Sequence, residues 1–183
     1  MCIAASALKL GDLIVSTTGA AVSATIRVGT GSPVSHAMLF VGNGEVIEAV
    51  GSGVRRVALG TAINDASLAV AYRVPDLTEK EGRMVVGFAL GQIGKKYDTG
   101  GAAGAGIARN PLACAAAGVV ICVAARTESL ASGGRFYCSE LVLAAYAAAN
   151  RPLVARSPSL SVPNDIPQAY SHGRLVYVGH LAL

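Results

Sequence analysis

In the first half of the chain, apolar residues fall into short runs of strand length. Leu13-Ile14-Val15 follow Asp12, so residues 12–15 predict a strand. Residues 35–41 and 45–50 flank Gly42-Asn43-Gly44. That is a strong hairpin signal, because a tight turn between twisted strands needs positive φ at its centre. Residues 54–59 and 68–74 predict further strands. Pro75, with no N–H to give a ladder, closes the last of them.

The spacing then changes to that of helices. Thr78-Glu79-Lys80-Glu81 fits a capping box, with the Thr78 hydroxyl at one end and Glu81 reaching back. Val85, Phe88, Ala89 and Ile93 recur at helical intervals. Lys95 and Lys96 stand at the far end, where the helix dipole favours cations. Residues 100–106 read as a glycine-rich loop, residues 112–125 as a buried helix, and residues 126–135 as a polar stretch broken by Gly133-Gly134. Residues 137–150 predict a helix with Leu141, Ala144, Ala145 and Ala148 on one stripe, ended by Asn150 and Pro152. Residues 152–167 hold Pro152, Pro158, Pro163 and Pro167 and predict a loop; residues 174–179 predict a last strand. No repeat interrupts the order, which predicts a single α+β domain over residues 1–183.

Composition changes this picture in one respect. Of 183 residues, 52% are hydrophobic and only 14% charged. The mean hydropathy of +0.52 raises the question of a membrane span. A spanning helix needs about 20 apolar residues. The apolar stretch 112–125 is shorter than that, so no stable transmembrane segment is expected. The N-terminus has no basic stretch before its short apolar run and does not read as a secretory signal. The expected location is cytoplasmic, or outside the producing cell by a route without a cleaved signal. The net charge of +4 is spread along the chain, with short pairs at Arg55-Arg56 and Lys95-Lys96. Nucleic-acid binders usually carry a basic stripe interleaved with aromatics, so no nucleic acid is expected as a partner. A mild attraction to anionic surfaces, such as a bacterial wall, is compatible with the charge.

Phosphate-loop, dinucleotide and serine-elbow motifs are absent, and no Cys-x-x-Cys occurs. Neither a metal site nor a cofactor is expected. Cysteine with histidine remains. Cys138 stands at the start of the last long helix, where the dipole stabilises a thiolate. Glu140 in the same turn works slightly against this. Cys2, Cys114 and Cys122 are expected to be small buried hydrophobes. His36 opens one strand of the hairpin. Glu48 lies in the other, inside Val46-Ile47-Glu48-Ala49-Val50, where a carboxylate needs a partner.

Register decides whether the two meet. A two-residue loop, Asn43-Gly44, sets Leu39 opposite Glu48 and turns His36 to the other face. A three-residue loop sets Met38 opposite Glu48, which then shares a face with His36 and sits diagonally from it. The second register is the expected one. It lets Glu48 orient the imidazole while His36 deprotonates Cys138.

The hairpin from Ser35 to Ala49 and the segment Phe136-Tyr137-Cys138-Ser139-Glu140-Leu141-Val142 together resemble NlpC-type papain-like cysteine hydrolases. The Cys here follows the His, which is the order of the circularly permuted, YiiX-like branch. Gly11-Asp12, Lys96-Tyr97-Asp98 and Pro163-Asn164-Asp165 are weaker matches. The resemblance implies a permuted papain-like α+β fold, with the Cys helix packed on an antiparallel sheet. It implies Cys138 as nucleophile, His36 as base and Glu48 as third member. Tyr137 and Ser139 are then candidates to shape the oxyanion and substrate site.

Three functions follow as expectations. The first is a cysteine amidase or peptidase on bacterial cell-wall peptides. Its setting as a secreted antibacterial effector, acting in a target periplasm, would imply a cognate immunity protein as partner. The second is an acyl hydrolase or acyltransferase with the same triad, its acyl substrate held by residues 112–125. The third is a non-catalytic binding domain on the same fold.

Overall fold

In the computed structural model, residues 2–18, 32–109 and 134–182 are described. Residues 112–125, with Cys114, Cys122 and Gly133, lie outside them, and so does the helix expected there. The strands are β1 (Cys2–Ile3), β2 (Leu13–Thr18), β3 (His36–Gly42), β4 (Glu45–Val50), β5 (Gly53–Ala58), β6 (Ala66–Arg73) and β7 (Val176–Leu181). The helices are α1 (Leu59–Ile63), α2 (Glu79–Leu90), α3 (Thr99–Arg109), α4 (Cys138–Ala148) and α5 (Asp165–Ser171).

The strands form one sheet in the order β1-β7-β6-β2-β3-β4-β5. All pairings are antiparallel except that of β1 with β7. Central β2 is covered on both faces, and Leu13, Ile14 and Val15 are all fully buried. Its alternate residues feed two cores, as the two-residue period of a strand requires. Leu13 and Val15, with Ala37, Leu39 and Ile47, pack against Val85 and Ala89 of α2 and Leu141 and Ala145 of α4. Ile14, with Met38, Phe40 and Val46, packs on the other side with Leu59 and Ile63 of α1.

Local signals account for the ends of several elements. The Thr78 hydroxyl accepts the Glu81 N–H at 3.2 Å, and the Glu81 carboxylate accepts the Thr78 N–H at 2.9 Å, so α2 starts on a capping box. Asn150 takes the left-handed conformation, φ 62°, and stops α4. One expectation is overturned: residues 100–106 belong to α3 and are not a loop. Asp98 starts that helix, its carboxylate accepting the Gly101 N–H at 2.8 Å and its carbonyl the Ala102 N–H at 3.0 Å. A Cβ at Gly101 would collide with the Asp98 carboxylate. The glycine there answers a close approach, not a flexible turn. Cys2 also departs from expectation, since it lies exposed on the short β1. The proline-rich stretch is partly ordered into a 3-10 turn at Pro158–Leu160 and the start of α5.

Gly11-Asp12 anchors the layers. The Tyr146 hydroxyl of α4 donates to the Gly11 carbonyl. The buried Asp12 carboxylate accepts Arg73 Nε at 2.7 Å, Arg73 Nη2 at 2.6 Å and the Lys9 N–H at 2.8 Å. Replacing Asp12 by alanine strands a partly buried guanidinium and a backbone donor. We expect a loss of about 2–3 kcal/mol, because removing one partner leaves the other's desolvation uncompensated. Urea unfolding checks this: the midpoint should fall with the slope unchanged.

Candidate active site

The hairpin β3–β4 turns at Asn43-Gly44, and both residues have positive φ, 53° and 72°. An irregularity between Phe40 and Gly42 then shifts the ladder, so Met38, not Leu39, faces Glu48. The turn has two residues, and the bulge behind it restores the register expected for three. His36 and Glu48 therefore share a face, and His36 Nε2 lies 2.6 Å from Glu48 Oε2. The approach to β3 is fixed as well. The Ser35 N–H donates to the Ser16 carbonyl at 3.0 Å, and the Ser32 hydroxyl accepts the Val34 N–H at 3.0 Å.

Cys138 is the first residue of α4. The Cys138 thiol and the His36 imidazole are close enough to shift each other's titration, and the N–H groups of Ala37 and Ser139 act on the sulfur as well. With Nε2 held by Glu48, Nδ1 is the ring nitrogen left for the thiol. All three side chains are withdrawn from water: His36 is 19% exposed, Glu48 2% and Cys138 4%.

The electrostatics run in one direction. Burial disfavours the His36 imidazolium, but hydrogen bonds to Cys138 and Glu48, and their charges, outweigh it and push the pKa from 6.5 up to about 10. Burial raises the Cys138 thiol, yet the hydrogen bond and charge of His36, then the two backbone N–H groups, hold it below its ordinary 9.0. Burial also works against the Glu48 carboxylate, and His36, followed by Arg55, brings it below 4.5. These shifts favour a thiolate–imidazolium pair backed by a carboxylate.

A small cleft of about 30 Å³ adjoins Cys138, lined among others by Ser35, Tyr97, Ala102, Tyr137 and Val162. Tyr137 was expected to help at the oxyanion site, but its hydroxyl is directed to the carbonyls of Ser161, at 3.0 Å, and Pro158, at 3.3 Å. It builds the wall of the cleft. Ser139 is fully buried, and its hydroxyl meets the Ser161 carbonyl at 3.4 Å; only its backbone N–H faces the sulfur.

Tyr97 also lines the cleft, and the sequence alone assigns it no role. The Asp98 N–H donates to the Phe136 carbonyl at 3.1 Å, and the Phe136 N–H to the Lys96 carbonyl at 3.2 Å. This short parallel bridge seats Tyr97 beside the start of α4. Burial, then the charges at Cys138 and Asp98, raise its pKa above 10.0, so its hydroxyl keeps its proton and remains a donor. The motif Lys96-Tyr97-Asp98 was visible, but nothing in the sequence tied it to Cys138.

The comparisons agree with this architecture. Residues 7–103 match the family model described as a permuted papain-like amidase enzyme, YaeF/YiiX, C92 family. That span holds His36, Glu48 and Tyr97 and ends before Cys138. The chain is 31% identical over 208 residues to the probable lipoprotein peptidase YaeF of Escherichia coli (strain K12), covering 98% of this chain and 73% of that protein. Its fold is similar to the crystal structure of the metalloprotein YiiX from Escherichia coli O157:H7, with a TM-score of 0.57 and 19% identity over 95% of this chain and 88% of that one. Among the described residues, no group of three or more His, Cys, Asp or Glu is placed to hold a metal ion. Among them, too, no helix is long and apolar enough to cross a membrane.

Proposed function

This chain belongs to the permuted papain-like amidase family, and from that premise we propose that it hydrolyses a peptide or amide bond through Cys138, His36 and Glu48. The run of interacting groups from Cys138 through His36 to Glu48, with His36 Nε2 2.6 Å from the Glu48 carboxylate, carries this reading.

The Cys138 thiolate attacks the carbonyl carbon, and the carbonyl oxygen takes up the negative charge. The Cys138 N–H at the start of α4 and the Tyr97 hydroxyl are the donors proposed to meet that oxyanion. The His36 imidazolium gives its proton to the leaving nitrogen, the C–N bond breaks, and the acyl group stays on sulfur as a thioester. His36, now neutral, takes a proton from water. The resulting hydroxide adds to the thioester carbonyl, and the thiolate departs with the acid released. Glu48 holds the ring and stabilises its charge throughout.

Within this class, a bacterial cell-wall peptide is the proposed substrate. Two observations support it: a related bacterial protein is named as a peptidase, and a net charge of +4 suits an anionic wall polymer. Wall-peptide fragments and acyl esters, each incubated with wild type and Cys138→Ala, provide the test. We expect new amine and carboxylate ends on the peptides with wild type alone, read by mass spectrometry. Turnover of esters alone would overturn the substrate class. No amide turnover, together with a Cys138 that iodoacetamide modifies no faster than free cysteine at neutral pH, would overturn the triad.

A further inference from the structure

Behind the three groups of the proposed triad stands a fourth, Arg55, half of the basic pair Arg55-Arg56. β4 and β5 are joined through Gly51-Ser52, and Val50 pairs with Gly53. That register sets Arg55 directly across from Glu48. Strand alternation separates the two arginines. Arg55 turns to Glu48, whereas Arg56 pairs with the partly exposed Glu45.

Arg55 grips a single oxygen of Glu48. Its Nε lies 2.9 Å and its Nη2 2.7 Å from Oε1. The other oxygen, Oε2, is left to His36 at 2.6 Å. A carboxylate only 2% exposed is thus shared between two cationic partners, one per oxygen. The strand carrying Arg55 is itself pinned. The Val54 N–H donates to the Lys95 carbonyl at 2.8 Å, and the Gly94 N–H to the Val54 carbonyl at 2.9 Å. Gly53 makes this approach feasible: at φ 117°, a Cβ there would lie 2.6 Å from the Lys95 carbonyl oxygen.

We propose that Arg55 is a positioning residue for the reaction: it fixes the rotation of the Glu48 carboxylate so that Oε2 faces His36, and keeps that carboxylate ionised when the surroundings turn acidic. The inference rests on the Cys138-His36-Glu48 reading. The charged and titratable groups involved are His36 and Arg55 facing Glu48, Cys138 facing His36, and Tyr97 with Asp98 behind it facing Cys138.

The order of events on acidification follows from this arrangement. Without Arg55, Glu48 keeps only His36 against its burial and takes up a proton at higher pH. The imidazolium keeps its proton at that pH but loses the anion that holds its ring against Cys138, so the thiolate loses a fixed counter-charge.

The test is the rate of Cys138 alkylation by iodoacetamide between pH 4 and pH 11, which needs no substrate. Wild type, Arg55→Ala and Arg55→Lys are compared, and circular dichroism confirms that each is folded. In Arg55→Ala the acid limb should move to higher pH. Its rate at pH 5, relative to its own rate at pH 8, should fall roughly fivefold, as suits the loss of a half-exposed ion pair. Arg55→Lys, which keeps the charge but not the fork, should recover part of the shift. A profile superimposable on wild type in Arg55→Ala, even with a lowered unfolding midpoint, reduces Arg55 to a hairpin staple and overturns the proposal. If Arg55→Ala does not fold, Arg55→Lys decides, and a wild-type profile there overturns it. Failure of the parent reading looks different: wild type itself would show only one rise, near the ordinary thiol value.

Discussion

Replacing Cys138 by serine is expected to lower kcat/KM on an amide substrate by about 10⁴-fold or more. The change swaps one atom in a buried position, so the fold should survive with its unfolding midpoint little altered. The chemistry should not survive. A hydroxyl is far too weak an acid for His36 to hold it ionised, and the imidazolium loses the anion that contributes to its raised pKa. What remains is positioning and oxyanion donors, which alone give only a small fraction of the rate. The same reasoning predicts that wild-type Cys138 reacts with iodoacetamide at pH 6 at least about tenfold faster than free cysteine. An ordinary thiol is then almost wholly protonated, though a lower pKa also costs some nucleophilicity. Serine activity within tenfold of wild type would remove the thiol from its role.

Glu48→Gln is expected to cost roughly 10²-fold in kcat/KM and to change the pH profile. Glutamine keeps an oxygen in place but removes the charge. His36 has a raised pKa of about 10, so its imidazolium is held below that value and lost as pH rises through it. Part of the rise comes from Glu48, by hydrogen bond and by charge. Removing the charge should therefore bring the alkaline limb down by about one pH unit, on the order of the free energy of one such interaction. On the acid side, Cys138 has a lowered pKa, so its thiolate is lost as pH falls through that lowered value. The imidazolium stays protonated there, but with no carboxylate to hold its ring against the sulfur the thiolate is less well paired, and the acid limb should rise as well. The plateau narrows from both ends. A variant whose alkaline limb stays near the wild-type value would mean that Glu48 does not support the His36 charge.

Much of this site was legible because its signals are local. The Gly-Asn-Gly turn, a polar His36 at the start of an apolar strand and a carboxylate amid the apolar residues of its partner are all readable in the hairpin sequence. The turn chemistry left two registers, and the carboxylate itself argued between them, since only one sets it beside His36. The capping box at Thr78 and the helix that opens at Cys138 are equally local. The glycines of α3 misled the reading, because a glycine demanded by close packing looks the same in sequence as one demanded by a turn. Gly101 is there for the Asp98 carboxylate, a contact within one turn that composition does not reveal. Arg55 was within reach of sequence reasoning: a tight turn at Gly51-Ser52 would have set it opposite Glu48.

The sequence by itself determined most of the described elements, the hairpin and the chemical types available: a thiol at a helix start, an imidazole at a strand start and a carboxylate inside an apolar strand. Periodicity and turn conformation are set by residues near one another in the chain, so they can be read from it. The tertiary structure alone decided that α4 carries its first residue to the mouth of β3, that the Tyr97 segment pairs with Phe136, and that Tyr137 and Ser139 spend their hydroxyls on the Ser161 carbonyl. Those outcomes depend on how α2 and α4 pack on the sheet. Packing sums many weak, non-directional contacts between residues distant in sequence, and no local pattern encodes that sum.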